Sequence, residues 1–250
     1  MDNELRSNTA TMKKVILLFE GRTGSSLFGG LMNQHPNICF LGEELAGIKD
    51  QGWQAQQIWM DEYFDPDSGF KDVRRNKEKL KILGFKIKLR DIADPIRFRE
   101  YILANDIQII HMYRKNIVKQ TLSSIRAMDL AKSHGVYNLD ASQADKIPEK
   151  YRIPLQYFNN ILLWIIGCEW RLREFIASLD DSLNFRMSYE ELISDIQGMA
   201  SNVFRKLRLE PVEVIPEQIK ITSDNMEDAI ENYAEIKGFY SDSVLAGDFD

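Results

Sequence analysis

A glycine-rich segment near the start of the chain carries the clearest signs of chemistry. It reads Gly21-Arg22-Thr23-Gly24-Ser25-Ser26, after a short apolar run (residues 15–19) and before apolar residues at helical spacing. A strand, a tight loop and a helix in this order direct backbone N–H groups and a helix N-terminus at one point, which attracts an anion. The hydroxyl groups and the guanidinium add further donors. The segment predicts a phosphate-like anion site; the simpler alternative is a strained turn relieved by glycines.

A second basic position follows a later apolar run. Residues 107–113 predict a buried strand that ends at Arg114, and residues 116–132 predict a helix. Ser123 falls two turns into that helix, on the face of Asn116. Arg114 and Ser123 could therefore reach a second anion. Taken alone, the pattern is better explained by an ordinary ion pair of Arg114 and by a Ser123 hydroxyl on the helix surface.

Carboxylates and lysines occur at the ends of two further predicted strands. Residues 37–41 predict a strand that ends at Gly42-Glu43-Glu44. That is the sheet edge at which ligands bind in open α/β folds, although a solvated carboxylate is equally compatible with the pattern. Residues 82–89 predict a strand with Lys86 and Lys88 on one face, which is either solvated or turned towards the anion.

The motifs of metal-dependent enzymes are missing from the sequence. The three histidines form no HxxxH or HxH pattern, and two cysteines in apolar surroundings predict buried thiols. The loop ends in Gly24-Ser25-Ser26 without the lysine of a Walker A loop, and no acid follows the strand at 107–113 to hold magnesium. We therefore expect a metal-free reaction of an anionic group rather than a cycle of ATP or GTP hydrolysis.

Strands alternate with helices along the chain, which predicts an α/β fold of three layers with a mostly parallel central sheet and helices on both faces. The 250 residues suffice for one large domain, which we place at residues 13–240, between polar tails at 1–12 and 241–250. A net charge of −6 disfavours a nucleic-acid partner. Without a signal-peptide core or an apolar run long enough for a transmembrane segment, the sequence predicts a cytoplasmic protein, and it says nothing of oligomeric state.

The two basic motifs together resemble those of the PAPS-dependent sulfotransferase family, and most closely its bacterial branch that sulfates carbohydrates and lipids. The loop at 21–26 is similar to the family's 5′-phosphosulfate loop, and His111-Met112-Tyr113-Arg114 with Ser123 resembles its 3′-phosphate motif. Gly42-Glu43 and Gly84-Phe85-Lys86 resemble two further motifs of that branch. The motifs that carry the resemblance lie between Lys14 and about Tyr240. The C-terminal Arg-Lys-Gly loop of the steroid-sulfating branch is missing from the sequence.

The resemblance implies a P-loop-like fold and an enzyme that moves a sulfuryl group from 3′-phosphoadenosine 5′-phosphosulfate (PAPS) to a hydroxyl of a carbohydrate, a lipid or another small molecule. It assigns five residues to the 5′-phosphosulfate: Arg22, Thr23, Gly24, Ser25 and Ser26. It assigns Arg114 and Ser123 to the 3′-phosphate. It makes Glu43 the catalytic base, with Glu44 second and His111 third, and adds Lys86 and Arg22 as catalytic cations. It implies no metal.

Two other functions stay open. A P-loop kinase or NTPase with a degenerate phosphate loop would bind Mg-ATP or Mg-GTP, and a non-catalytic nucleotide-binding module would bind a nucleotide without acceptor chemistry. The acceptor itself cannot be read from the sequence. We expect its pocket walls in residues 45–70 and 134–153, where Trp53, Trp59 and Tyr137 could stack on a sugar or line a lipid groove.

Overall fold

One parallel sheet organises the protein, which is described here by a computed structural model covering residues 12–65, 67, 70, 71, 73, 78–135, 150–216 and 225–249. Within these residues the sheet has five strands: β1 (Lys13–Phe19), β2 (Ile38–Leu41), β3 (Ile82–Ile87), β4 (Gln108–Tyr113) and β5 (Asn184–Ser188). Their order is β2-β3-β1-β4-β5, and every neighbouring pair is parallel. The predicted α/β fold with a parallel central sheet is confirmed.

The helices follow the strands in the alternation that the sequence predicts. Their bounds are α1 (Ser25–Asn33), α2 (Trp53–Phe64), α3 (Pro95–Ala104), α4 (Ile117–His134), α5 (Leu155–Ala177), α6 (Tyr189–Ser194), α7 (Ile196–Lys206) and α8 (Tyr233–Phe239). Short 3₁₀ segments at Glu44–Gln51 and Leu89–Asp91 follow β2 and β3. None of the described helices has the length and apolar character that crossing a bilayer requires.

Two apolar layers cover the faces of the sheet, because successive residues of a strand point to opposite sides. Leu17 and Phe19 of β1 pack on the side of α1, with Phe28. Ile16 and Leu18 pack on the other side, with buried residues of α2, α3 and the second half of α5. The central position of β1 fixes the glycine-rich loop that follows it at the middle of the sheet edge.

A third apolar cluster joins α4, α5 and the C-terminal residues. Phe249 is 3% exposed and packs against Phe158 and Tyr240, and the Asn116 side chain donates to the Asp248 carbonyl at 2.7 Å. The sequence predicted a tail from residue 241. The structure differs because an aromatic residue close to the end completes this cluster. The predicted tail at 1–12 lies outside the described residues except for Met12.

Candidate active site

The carboxyl ends of the parallel strands bring the predicted site residues to one edge of the sheet. The glycine-rich loop follows β1, Glu43 follows β2, Lys88 follows β3 and Arg114 follows β4. Lys86 lies inside β3, on the face that α1 covers, since its Nζ donates to Ser26 Oγ at 2.8 Å. The edge therefore gathers groups that are far apart in the sequence.

The loop after β1 has an unusual backbone. Arg22 and Gly24 both adopt left-handed conformations, with φ of 68° and 84°. A Cβ atom on Gly24 would lie 2.7 Å from Cδ2 of Tyr189, so this position requires glycine for both its conformation and its space. Left-handed residues within a turn direct successive N–H groups to one side, which is the geometry of an anion-binding nest.

Side-chain hydrogen bonds to backbone carbonyls stabilise the loop. The Thr23 hydroxyl donates to the Glu20 carbonyl at 2.8 Å, and the Gln120 amide donates to the Gly21 carbonyl at 2.9 Å. Thr23 is fully buried. The Thr23 hydroxyl therefore stabilises the loop, and any contribution of this residue to a ligand comes through its backbone N–H.

Helix α1 begins directly after the loop. Its N-cap residue is Gly24, which supplies no side-chain cap, and Ser25 and Ser26 form its first turn. The first N–H groups of a helix and its dipole favour an anion. Lys86 places an ammonium group on Ser26, so the loop, the helix N-terminus and a lysine converge.

The two arginines predicted from separate motifs lie together. Arg22 Nε donates to Ser123 Oγ at 2.9 Å, and Arg114 Nη1 donates to the Arg22 carbonyl at 3.3 Å. The Arg114 guanidinium stacks over the Tyr189 ring, 4.7 Å from its centroid. The structure thus brings Arg22, Arg114 and Ser123 into one cleft.

Burial makes this pair of cations costly. The Arg114 side chain is 8% exposed, and within the described part of the chain its buried Nε has no hydrogen-bond partner; the nearest carboxylate is Glu190 at 3.9 Å. Burial lowers the pKa of Arg22, and the charge of Arg114 lowers it further. Burial also lowers the pKa of Arg114. A bound anion would offset this cost by pairing with both groups.

Glu43 lies between two lysines. Its Oε2 pairs with Lys88 Nζ, and its Oε1 is 3.5 Å from Lys86 Nζ. Burial lowers the pKa of Lys86, against which the charge of Glu43 acts. The arrangement joins a candidate base to a candidate anion-binding cation.

The other two candidate bases lie elsewhere. Glu44 is exposed at the start of the 3₁₀ segment after β2. His111 is 1% exposed and faces α5, where its Nε2 is 3.4 Å from Glu169 Oε1. Although burial acts in the opposite direction, His111 and Arg173 lower the pKa of Glu169. His111 is thus buried on the face of the sheet opposite to α1.

Sequence reasoning missed an ion pair directly beside the loop. Glu20 is 2% exposed and pairs with Arg90, whose guanidinium lies 4.7 Å from the centroid of the Trp164 ring. Burial raises the pKa of Glu20 to about 7, although the charge of Arg90 opposes the rise. The signal was an acidic residue directly after the apolar run at 15–19, where a buried carboxylate must find a cation.

The prediction that Trp53 lines an acceptor pocket is wrong, because this side chain is buried in the core against Phe98. Trp59 is half-buried at the border of the core, where it stacks on Tyr63 with 5.2 Å between ring centroids. A role of Trp59 in an acceptor pocket stays a prediction. Tyr137 lies outside the described residues.

Among the described side chains, no group of three or more His, Cys, Asp or Glu residues is arranged to hold a metal ion. The geometry therefore defines an α/β protein in which cationic side chains lie beside the glycine-rich loop and the N-terminus of α1, at one edge of the sheet.

Solved structures share this fold. A sulfotransferase from Alicyclobacillus acidocaldarius superimposes with a TM-score of 0.51 at 14% identity, over 95% of each chain. The sulfotransferase domain from the curacin biosynthetic pathway has a TM-score of 0.51 at 13% identity, over 95% of this chain and 82% of that domain. No protein-family model and no curated protein sequence matches the chain. At these identities the likeness shows the fold, which is that of these sulfotransferases.

Proposed function

We propose that the protein is a PAPS-dependent sulfotransferase that transfers a sulfuryl group to the hydroxyl of a small-molecule, carbohydrate or lipid acceptor. The observation that carries the proposal is the junction of the two basic motifs, in which Arg22 donates to Ser123 and Arg114 donates to Arg22. A donor with an anionic group at each end of one ribose fits such a pair of joined cationic sites. The shared fold with sulfotransferases supports the same reaction class.

The residues divide between the two ends of the donor. Arg22, the backbone of residues 23–26 and the Ser25 and Ser26 hydroxyls would hold the 5′-phosphosulfate at the N-terminus of α1. Arg114 and Ser123 would hold the 3′-phosphate, for which the buried Arg114 Nε offers an additional donor. The proposal includes no metal, since the cations at the edge neutralise the donor.

The reaction needs one base and one cation. Glu43 takes the acceptor proton, the acceptor oxygen forms a bond to sulfur, and the bond between sulfur and the bridging oxygen of the phosphosulfate breaks. The electron pair of that bond stays on the departing phosphate, where Lys86 stabilises the new charge. Holding donor and acceptor in line supplies much of the rate, and fixed charges supply most of the rest.

Buried thiols agree with a cytoplasmic location, which is part of the proposal. Cys39 and Cys168 both lie in the interior as thiols. Reducing compartments preserve such residues.

Calorimetric titration tests the donor site. We expect 3′,5′-adenosine bisphosphate to bind without magnesium and more tightly than Mg-ATP. Incubation with ³⁵S-labelled PAPS and octyl glucoside, which offers sugar hydroxyls on an alkyl chain, tests transfer. Tight Mg-ATP binding with no response to the bisphosphate would instead indicate a kinase or NTPase, and bisphosphate binding without transfer across an acceptor panel would indicate a binding module.

A further inference from the structure

The Glu43 carboxylate has two cationic neighbours with different surroundings. Lys88 Nζ pairs with Glu43 Oε2, whereas Lys86 Nζ lies 3.5 Å from Oε1 and also donates to Ser26 Oγ at 2.8 Å. Lys86 is thus shared between the carboxylate and the first turn of α1. Lys88 has no such link to α1 among the contacts of the described residues.

An aromatic ring holds both lysines in place. The Nζ atoms of Lys86 and Lys88 lie 5.5 and 5.1 Å from the centroid of the Phe19 ring. Phe19 is 2% exposed, so the ring is fixed in the α1 layer. Cation–π attraction to a buried ring restricts where each ammonium group can lie.

The other charges around Lys88 do not compete strongly for it. Asp91 Oδ2 is 3.9 Å from Lys88 Nζ. Glu20 pairs with Arg90 rather than with Lys88. Burial raises the pKa of Glu20, and the charge of Lys88 makes only a minor contribution in the opposite direction. Lys86 is the remaining charged neighbour of Lys88. The closest partner of Lys88 is therefore Glu43.

We propose that Lys88 is the positioning residue for Glu43, and that Lys86 is released to the donor while Lys88 keeps the base in place. Lys86 already contacts both Glu43 and Ser26 of the first turn of α1, so an anion at the α1 N-terminus draws Lys86 away from Glu43. Lys88 then remains to orient the carboxylate. This inference rests on the proposed function.

Three variants test the division of roles. Lys88→Met removes the charge but keeps most of the apolar contact with Phe19, and Lys88→Arg restores a cation. Lys206→Met is the matched control, because Lys206 also lies over an aromatic ring, 4.4 Å from the centroid of Phe185, on helix α7 away from the site. Each is assayed for kcat and KM with ³⁵S-labelled PAPS and octyl glucoside, and by titration with 3′,5′-adenosine bisphosphate.

We expect Lys88→Met to lower kcat about 10- to 100-fold, since misplacing a reacting group by about 1 Å can cost about 10²-fold. Bisphosphate affinity should stay within about twofold of wild type, and Lys88→Arg should recover part of kcat. Lys206→Met should match wild type.

The outcomes separate the two proposals. If wild type transfers sulfate and Lys88→Met does so with unchanged kcat, the positioning role is wrong and the proposed function stands. If Lys88→Met loses bisphosphate affinity instead, Lys88 binds the donor and the division of roles is wrong. If wild type transfers nothing to any acceptor or to water, both proposals fail.

Discussion

Two charged clusters meet at the same edge of the sheet and differ in the elements that surround them. Among the described residues, the loop-side cluster comprises Arg22, Lys86, Lys88, Arg114, Glu43, Asp91 and Glu190. The helix-side cluster has two guanidinium groups, two carboxylates and a histidine: Arg90, Arg173, Glu20, Glu169 and His111. The first lies against the glycine-rich loop and the N-terminus of α1, both of which favour an anion, whereas the second lies between the sheet and α5.

The comparison teaches that a displaced pKa alone does not locate a ligand site. The pKa of Glu20 is raised to about 7 by burial, and such displacement is common at active sites. Yet Glu20 pairs with Arg90 in the cluster that faces α5. The convergence of Arg22, Arg114 and Lys86 on the glycine-rich loop and the N-terminus of α1 is the better indicator here.

The largest effect should come from the proposed base. We expect Glu43→Gln to lower kcat by about 10²- to 10⁴-fold, which is the usual contribution of a general base, while bisphosphate affinity is kept. Glu44→Gln, at the exposed neighbouring position, is the control and should keep kcat. Transfer assays with PAPS and titrations of both variants measure this; full turnover by Glu43→Gln would move the base elsewhere.

The helix-side cluster should respond to pH through stability. The pKa of Glu20 is raised from 4.5 to about 7 in the folded state, so the folded protein binds more protons than the unfolded chain between these values. Its contribution to stability is therefore full below about pH 4.5 and is lost as the pH rises through about 7. In urea unfolding, the free energy of unfolding of Glu20→Gln relative to that of wild type should therefore rise by on the order of 3 kcal/mol between pH 5 and pH 8.

Equal stability differences between these two proteins at pH 5 and pH 8 would contradict a buried, proton-binding Glu20. Bisphosphate affinity serves as the control readout. It should hardly change in Glu20→Gln, because the helix-side cluster is not part of the proposed donor site.

Arg114→Ala should weaken donor binding by about 1.5–3 kcal/mol, since charge-assisted hydrogen bonds to a buried anion are lost. Arg186→Ala is the matched control, because Arg186 also stacks on a tyrosine, 5.2 Å from the centroid of the Tyr113 ring, at an exposed position. Calorimetry with 3′,5′-adenosine bisphosphate compares the two. Equal losses would mean that Arg114 has no special role in the loop-side cluster.

The smallest effect should come from the loop backbone. Gly24→Ala should destabilise the protein by about 1–2 kcal/mol, the cost of a left-handed L-residue, with an added contact at Tyr189. Gly21→Ala should cost less, because a Cβ there meets nothing within 4 Å. Urea unfolding measures the difference, and similar losses at both positions would argue against a strained nest.

Local sequence patterns predicted much of the fold. The apolar run at 15–19 lies in β1, and all but the first residue of the run at 107–113 lies in β4, as the sequence predicts. Asn116 caps α4 by accepting from the Lys119 N–H. These features depend on residues within one or two turns of each other, so a pattern suffices to predict them.

Contacts between distant segments were not predictable in the same way. The burial of Phe249, the core position of Trp53 and the pairing of Glu20 with Arg90 each depend on which elements become neighbours in space. The junction of Arg22 with Ser123 spans 101 positions, and only the two motifs considered together indicated it. The roles of these residues in binding and catalysis stay predictions.

The left-handed backbone of Arg22 has a consequence for engineering. A residue with φ of 68° is held there at a cost that glycine would avoid, and under the proposed function the arginine contributes its guanidinium to donor binding. Selection for heat resistance alone would favour glycine at this position and would discard the side chain that links the two basic motifs. A substitution at this one position would then raise thermostability and lower transfer activity.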